Sequence, residues 1–263
     1  MRITYRDNGV KDYWISRWSS ISVDQPMENT QVYPLKYAEQ IVKDWNGKIL
    51  EAGCGAGRIL RYYHNKGMDI VGIDFIEVVV EKLKQVDSTL KVEVGDITNL
   101  HFDNESFKYI FSFGLYHNLE YKLDKAIKET YRVLESGGYI CASFRADNIH
   151  TRLTDWIFEH SARGVKRRSK SYSFHKMNLT RSEFKLAFEK AGFNVDSIIP
   201  VENMQILYKF SLFRASSHKR FDENVARVEG YKLSFIGEFL HSILMYFAPN
   251  QFCSIYLLIA NKK

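Results

Sequence analysis

Ile49-Leu-Glu-Ala-Gly-Cys-Gly-Ala-Gly-Arg58 is the stretch that decides the fold of this 263-residue chain. Apolar and small residues lead into a Gly53-x-Gly55-x-Gly57 turn, and a helix-like run follows it. This order predicts a strand, a glycine turn and the N-terminus of a helix. Glycine has no Cβ and lets the backbone approach a ligand closely, while the first N–H groups of a helix lack intrahelical partners. Such a turn is typical of a site for the polar part of a nucleotide-like cofactor.

Two residues of this stretch decide which cofactor the turn suits. A dinucleotide site of the G-x-G-x-x-G type needs a small last residue where helix and strand meet, and Arg58 stands there. The strand also carries Glu51, whose carboxylate would repel a pyrophosphate. No G-K-[ST] follows the glycines, which excludes a P-loop. A carboxylate beside a glycine turn suits a cationic ligand, and S-adenosylmethionine carries a sulfonium and an ammonium but no phosphate.

Further sequence blocks follow the glycine turn in a recognisable order. They are Val71-Gly-Ile-Asp74, Val94-Gly-Asp96-Ile97, Phe107-Lys-Tyr-Ile-Phe-Ser-Phe113, Tyr131-Arg-Val-Leu-Glu-Ser-Gly-Gly-Tyr139, and Leu179-Thr-Arg-Ser-Glu-Phe with Ala191-Gly-Phe193. Together with the E-x-G-x-G-x-G turn, these blocks resemble the class I S-adenosylmethionine-dependent methyltransferases from about residue 47 to residue 203.

The resemblance implies a site for S-adenosylmethionine at the C-terminal ends of the first strands. The acid of the second block, Asp74, would hold the ribose hydroxyls, while Asp96 and the backbone N–H of Ile97 would read the adenine edge. The cofactor-binding residues implied within the core are Glu51, Gly53, Cys54, Gly55, Asp74, Phe75, Asp96, Ile97 and Phe113. Three acids at matching strand ends independently favour a polar ligand with hydroxyls, an amine and a cationic head, because ligands of open α/β sheets bind there.

Two tryptophans precede the core. Trp14 and Trp18 stand four residues apart, and this spacing places both indole rings on one face of a helix. One interpretation is a helix packed on the core. The other is a lid over the cofactor, since a similar Trp pair contacts the cofactor in the thiopurine-type methyltransferases.

The loop after the fourth predicted strand carries the candidate catalytic residue. In the family this loop lies beside the transferred methyl group, and His117 is the titratable imidazole placed there. It could act as a general base or be a structural histidine, which the family often has at this point. Tyr116, its neighbour, and Arg145, at the end of the fifth strand, are predicted to contact the substrate.

Alternating strand-like and helix-like runs predict one α/β domain over residues 1–263. The expected architecture is a doubly wound, seven-stranded, mostly parallel sheet with helices on both faces. Its parts are an N-terminal helical lid (1–34), a cofactor-binding half (35–148), two substrate-side insertions (149–177 and 203–250), and the remainder of the sheet (178–202 and 251–263).

Both insertions carry features that two interpretations fit. In the first, residues 163–170 form a basic run that is either a solvated surface or a contact for an anionic substrate. In the second, the apolar residues of 233–247 recur at helical spacing. The usual explanation is a helix packed on the core, and the alternative is a helix lying on a membrane surface as a peripheral contact.

Composition narrows the class of protein further. The net charge is +6 with a pI near 9.0, a mild preference for anionic partners. Cys54, Cys141 and Cys253 show no C-x-x-C spacing, so we expect no metal site and a reducing compartment. No signal peptide or stretch of about 18 apolar residues is visible. These features predict a cytoplasmic protein whose membrane contact, if present, is peripheral.

The leading hypothesis is an S-adenosylmethionine-dependent methyltransferase (EC 2.1.1.-) that methylates O or N of a small-molecule acceptor and forms S-adenosylhomocysteine. The basic, aromatic-rich insertions favour a saccharide or a lipid-linked intermediate as the acceptor. One alternative is an RNA or protein methyltransferase, although no appended RNA-binding module is recognisable and a nucleic-acid partner is not expected. Another is a non-catalytic S-adenosylmethionine-binding scaffold. The oligomeric state stays open.

Overall fold

The computed structural model describes residues 1–6, 9–21, 23, 26–160, 173–201, 205–222, 225–226 and 229–263. The helices in these ranges are α1 (Val10–Ser20), α2 (Leu35–Ile41), α3 (Arg58–Asn65), α4 (Glu77–Val86), α5 (Leu123–Val133), α6 (Ile149–His160), α7 (Arg181–Glu189), α8 (Gln205–Lys209), α9 (Phe235–Phe247) and α10 (Pro249–Phe252). The strands are β1 (Arg2–Arg6), β2 (Ile49–Ala52), β3 (Ile70–Asp74), β4 (Val92–Val94), β5 (Phe107–Ser112), β6 (Leu134–Arg145), β7 (Ser173–Asn178), β8 (Asn194–Pro200) and β9 (Ile255–Asn261).

A seven-stranded sheet in the order β4-β3-β2-β5-β6-β9-β8 forms the centre of the molecule. Strand β9 runs antiparallel to both of its neighbours, and the pairings from β4 to β6 are parallel. The predicted seven-stranded, mostly parallel sheet is therefore confirmed. Parallel strands require crossover connections, and α3, α4 and α5 supply them between β2 and β6.

Apolar side chains cover both faces of this sheet. Successive residues of a strand point to opposite faces, so Ile49 and Leu50 of β2 belong to different apolar clusters. The Leu50 cluster contains Phe184 and Phe188 of α7. The Ile49 cluster contains Leu60 of α3. Burial on both faces explains why these strands read as continuous apolar runs.

A second, two-stranded sheet that the sequence did not predict joins the N-terminal segment to the first insertion. Strand β1 pairs antiparallel with β7, with Arg2 opposite Asn178. The Arg2 guanidinium donates to Asp147 at 2.8 Å and to Asp155 of α6 at 2.6 Å. The N-terminal segment is thus a strand followed by a helix, and the first insertion holds α6 and β7. Its basic run, 163–170, lies outside the described residues.

The second insertion contains α8, α9 and α10 in its described ranges. Helix α9 forms where the sequence predicts a helix, and Ser234 accepts a hydrogen bond from the Gly237 N–H at its start. Most apolar residues of α9 are exposed, so the expectation of a helix whose apolar side packs on the core is wrong. None of the helices that the structure describes has both the length and the apolar character to cross a membrane.

Candidate functional site

A cleft with a volume of about 1560 Å³ lies at the C-terminal ends of the parallel strands β2 to β6. Open α/β sheets bind ligands at this edge. The predicted site residues that line the cleft are Trp14, Trp18, Glu51, Gly53, Cys54, Asp74, Phe75, Asp96, Ile97, Phe113, His117 and Arg145. The structure therefore brings together most of the residues that the sequence proposed.

Asp74 holds the glycine turn in place from the end of β3. One of its carboxylate oxygens accepts a hydrogen bond from the Gly55 N–H, and the other accepts one from the Ile76 N–H, both at 2.9 Å. Burial raises the pKa of Asp74, and these backbone hydrogen bonds oppose the shift. A carboxylate oxygen offers more than one acceptor position, so Asp74 can still accept hydrogen bonds from ligand hydroxyls in the cleft.

Glu51, on β2, is buried beside the glycine turn. Its carboxylate accepts a hydrogen bond from the Leu60 N–H in the first turn of α3, at 2.7 Å. Burial raises its pKa to about 8, although that hydrogen bond and the charge of Arg58 act in the opposite direction. The ligand-free side chain is therefore mostly protonated at neutral pH. A cation in the cleft would favour the carboxylate form.

Asp96 and Ile97 form the wall after β4. The Asp96 carboxylate accepts a hydrogen bond from the Thr98 N–H at 2.8 Å, while Ile97 is buried against the core. Phe75, half exposed at the end of β3, lies below the Lys11 ammonium, 5.1 Å from its ring centre. An apolar ring and a hydrogen-bonded acid on neighbouring strands can hold a flat, polar-edged group between them.

Helix α1 lies over the glycine turn, with Trp14 and Trp18 stacked at 5.4 Å between ring centres. A Cβ on Gly55 would stand 2.7 Å from the Trp18 ring, and Gly55 already has a φ of +50°. The Lys82 ammonium donates to the backbone oxygens of Trp18 and Ser19 at 2.7 and 2.8 Å. These contacts fix α1 as a cover on the cleft. They also screen Gly55 from it, so Gly55 acts by bonding to Asp74.

His117 is half-buried and lines the cleft. Burial lowers its pKa well below the ordinary value, and the charges of Arg145, Lys176 and His175 lower it further. The imidazole is therefore neutral at pH 7. Within the described residues its Nδ1 atom is buried and has no hydrogen-bond partner, whereas most buried polar atoms of folded proteins have one.

Tyr116 belongs to the core, so its predicted contact with substrate is wrong. Its side chain is fully buried, its hydroxyl donates to Thr130 Oγ1 at 3.1 Å, and its ring meets Phe188 edge-on. A short 3₁₀ turn from Tyr116 to Asn118 directs neighbouring side chains to different sides. Only His117 of the pair faces the cleft.

Several residues of the acceptor side were not predicted from the sequence. Strand β7 contributes His175 and Lys176, and the Lys176 ammonium lies 3.2 Å from Asp155. The Tyr33 hydroxyl bonds to Ser143 at 2.8 Å, and Ser143 also accepts the Gly114 N–H at 3.0 Å. No local motif marks these positions, because their pairing partners lie far away in the sequence.

The second insertion closes the other side of the cleft. Its lining residues include Lys209, Phe210, Phe221, Tyr231, Lys232 and His241.

Cys54, which stands between Gly53 and Gly55 in the glycine turn, is buried, and burial raises the pKa of its thiol. In the ranges that the structure describes, no three His, Cys, Asp or Glu side chains form a group that could hold a metal ion.

Part of the chain is similar to known methyltransferases and to a related enzyme. Residues 50–142 match the family model described as a methyltransferase domain. Phosphoethanolamine N-methyltransferase 3 of Arabidopsis thaliana is 28% identical over 142 residues, which are 49% of this chain and 29% of that protein. An S-adenosyl-L-methionine-dependent Diels-Alderase of Talaromyces variabilis is 25% identical over 215 residues, 73% of this chain and 70% of that protein.

The lengths of the relatives and one solved structure complete the comparison. The chain spans less than half the length of several curated relatives: 29% of that phosphoethanolamine N-methyltransferase, 17% of a human eEF1A lysine and N-terminal methyltransferase, and 43% of a malonyl-[acyl-carrier protein] O-methyltransferase of Erwinia billingiae. A methyltransferase structure from Methanosarcina mazei covers 88% of this chain and 98% of its own, with a TM-score of 0.59 and 17% identity. At that identity the likeness concerns the fold.

Proposed function

We propose that this chain, whose residues 50–142 match a methyltransferase domain, is a class I S-adenosylmethionine-dependent methyltransferase. It uses S-adenosylmethionine to methylate an oxygen or nitrogen of a small-molecule acceptor bound in this cleft. One observation carries the proposal: a continuous cleft runs from Glu51 and Asp74 to Lys232 and His241 of the second insertion. Cofactor and acceptor can therefore bind side by side in one cleft.

The residues present fit S-adenosylmethionine. Glu51 offers a buried carboxyl group that a cation would ionise, and Asp74 keeps acceptor capacity for ribose hydroxyls. Asp96 and Phe75 can hold the base between them. When bound, S-adenosylmethionine supplies an electrophilic methyl group on its sulfonium. The chain contributes alignment and the exclusion of water, and such positioning can lower the barrier by roughly 7–11 kcal/mol.

The acceptor side combines rings with cations. Phe113, Phe174 and Tyr231 provide apolar surface and Arg145 adds positive charge to the cleft, whereas the Lys176 ammonium is paired with Asp155. This lining supports an acceptor with an apolar or saccharide body and an anionic group. A saccharide or a lipid-linked intermediate combines those properties, and we propose that class first.

His117 is the residue we propose for proton handling at the acceptor. Its neutral imidazole lines the cleft, and a ring nitrogen that carries no proton can accept the hydrogen of a hydroxyl or amine and hold the nucleophile in line. Its lowered pKa means that it stays unprotonated across the neutral range. Measuring kcat and cofactor affinity in a His117 variant separates proton handling from cofactor binding.

The test is a turnover assay that measures S-adenosylhomocysteine from purified protein, S-adenosylmethionine and a panel of hydroxylated sugars, lipid-linked glycans and small amines. We expect Asp74→Asn to raise the KM for S-adenosylmethionine. We expect His117→Gln to lower kcat by about 100-fold while cofactor affinity, measured by calorimetry, stays at the wild-type value. Wild-type kcat for His117→Gln would leave the histidine a structural role.

A second candidate function is cofactor-dependent catalysis without methyl transfer. The Diels-Alderase relative, which covers 73% of this chain, motivates it. In that case S-adenosylhomocysteine would bind with micromolar affinity, yet no acceptor would yield it as a product. Protein and RNA acceptors are tested in the same assay with cell-derived protein and RNA fractions.

A further inference from the structure

Helix α9 presents its apolar residues to solvent. Phe235, Tyr246 and Phe247 are 88%, 81% and 78% exposed. At 3.6 residues per turn the exposed apolar residues fall within an arc of about 120°. We call this surface the apolar arc; it consists of Phe235, Ile236, Phe239, Ile243, Tyr246 and Phe247. A contiguous patch of this kind on a folded chain marks an interaction surface.

The opposite side of α9 is already attached to the protein, so the arc cannot turn inward. Glu238 and His241 line the cleft, and Met245 packs against the core. At the start of the helix the Ser234 hydroxyl donates to the Leu212 backbone oxygen at 2.8 Å. The orientation of α9 is therefore set by contacts on its other faces.

Basic and further apolar residues belong to the segments that contact α9 or lead into it. Leu212, which bonds to Ser234, is 63% exposed. Arg214 pairs with Leu233 as an isolated bridge, and its guanidinium donates to the Lys219 backbone oxygen at 3.3 Å. In the described parts of 205–247, the bases Lys209, Arg214, Lys219, Arg220 and Lys232 outnumber the acids Asp222, Glu229 and Glu238.

We propose that the apolar arc docks on the surface of an anionic lipid bilayer, with α9 lying in the plane of the interface. Phenylalanine and tyrosine rings insert into the headgroup region, and nearby Lys and Arg side chains add attraction to anionic lipids. The basic excess beside the arc complements a negative surface. Docking would leave Glu238 and His241, which line the cleft, on the side of α9 that faces away from the bilayer.

This inference concerns a binding surface and does not depend on methyl transfer. The experiment is co-sedimentation of the full chain with vesicles of phosphatidylcholine alone or with about 30% phosphatidylglycerol. The variant carries Phe235→Ser, Phe239→Ser and Tyr246→Ser. The matched control carries Tyr121→Ser and Leu186→Ser, which replace residues exposed to 81% and 50% outside the arc.

We expect the wild type and the control to bind the anionic vesicles, more weakly at high salt, and the arc variant to bind about tenfold less or worse. Unchanged S-adenosylhomocysteine affinity in the arc variant shows that it is folded. Equal vesicle binding by the arc variant, or no binding by the wild type, overturns the proposal. So does a wild-type dimer in analytical ultracentrifugation that the arc variant abolishes, because the arc would then join two copies of the chain.

Discussion

Replacing Glu51 with glutamine should stabilise the ligand-free protein, and the gain should grow with pH. Burial raises the pKa of Glu51 from its ordinary 4.5 to about 8. Between these values the unfolded chain releases a proton that the folded chain keeps. The free energy of unfolding of the wild type is therefore not reduced by Glu51 below pH 4.5, and it decreases as the pH rises from 4.5 to 8. Above pH 8 the cost reaches about 5 kcal/mol.

Thermal unfolding of the ligand-free protein measures this cost. Glutamine keeps an oxygen for the Leu60 N–H but cannot ionise. At roughly 2 °C per kcal/mol for a chain of this size, Glu51→Gln should raise Tm by up to about 10 °C at pH 8.5. At pH 5 the gain should be about 2 °C. The exposed carboxylate Glu81, changed to glutamine, controls for the loss of one charge.

Cofactor binding should release the proton that Glu51 carries in the ligand-free protein. A cation beside Glu51 favours the carboxylate, so S-adenosylmethionine binding near pH 7 should release close to one proton. Calorimetry in two buffers of different ionisation enthalpy measures it. In Glu51→Gln the release should vanish and affinity should fall about tenfold or more. A Tm gain that does not depend on pH, together with no proton release by the wild type, would refute the reasoning.

Three further substitutions test other parts of the site. Asp74→Asn should weaken S-adenosylhomocysteine binding about tenfold or more in calorimetry, and unchanged affinity would remove Asp74 from the ribose site. Gly55→Ala should lower unfolding free energy by about 1–3 kcal/mol, since its φ is +50° and its Cβ would meet Trp18; adding Trp18→Ala should recover part of this loss in urea unfolding, and no recovery would exclude the contact as the cause. Tyr116→Phe should cost about 1 kcal/mol through Thr130 and leave acceptor KM unchanged, whereas a raised KM would return Tyr116 to the substrate site.

Sequence reasoning succeeded where the decisive interactions are local or follow from strand geometry. The glycine turn is one contiguous strand–turn–helix segment, so its residues specify it without help from distant parts of the chain. Thr180 and Glu183, three residues apart, form a capping box at the start of α7. Asp74 and Asp96 meet in one cleft because parallel strands end at the same edge of the sheet.

The cleft residues of strand β7 were not predicted from the sequence, because pairing between distant segments of the chain places them there. Strand β1 pairs with β7, with Arg2 opposite Asn178, although most of the chain separates the two strands in sequence. This pairing brings Lys176 to the cleft. Both strands are short and carry many polar residues, so neither has a strong pattern of its own. Tyr116 and His117 are sequence neighbours, yet one packs in the core and the other lines the cleft.

Helix α9 shows which of its properties the sequence determines and which the tertiary structure decides. The sequence by itself determined that 235–247 is helical and that its apolar residues share a face, because the 3.6-residue period sets both. Which face is covered depends on the neighbours that the fold supplies. Ser234, Glu238 and Met245 hold the other faces, so only the tertiary structure decided that the aromatic residues point into solvent.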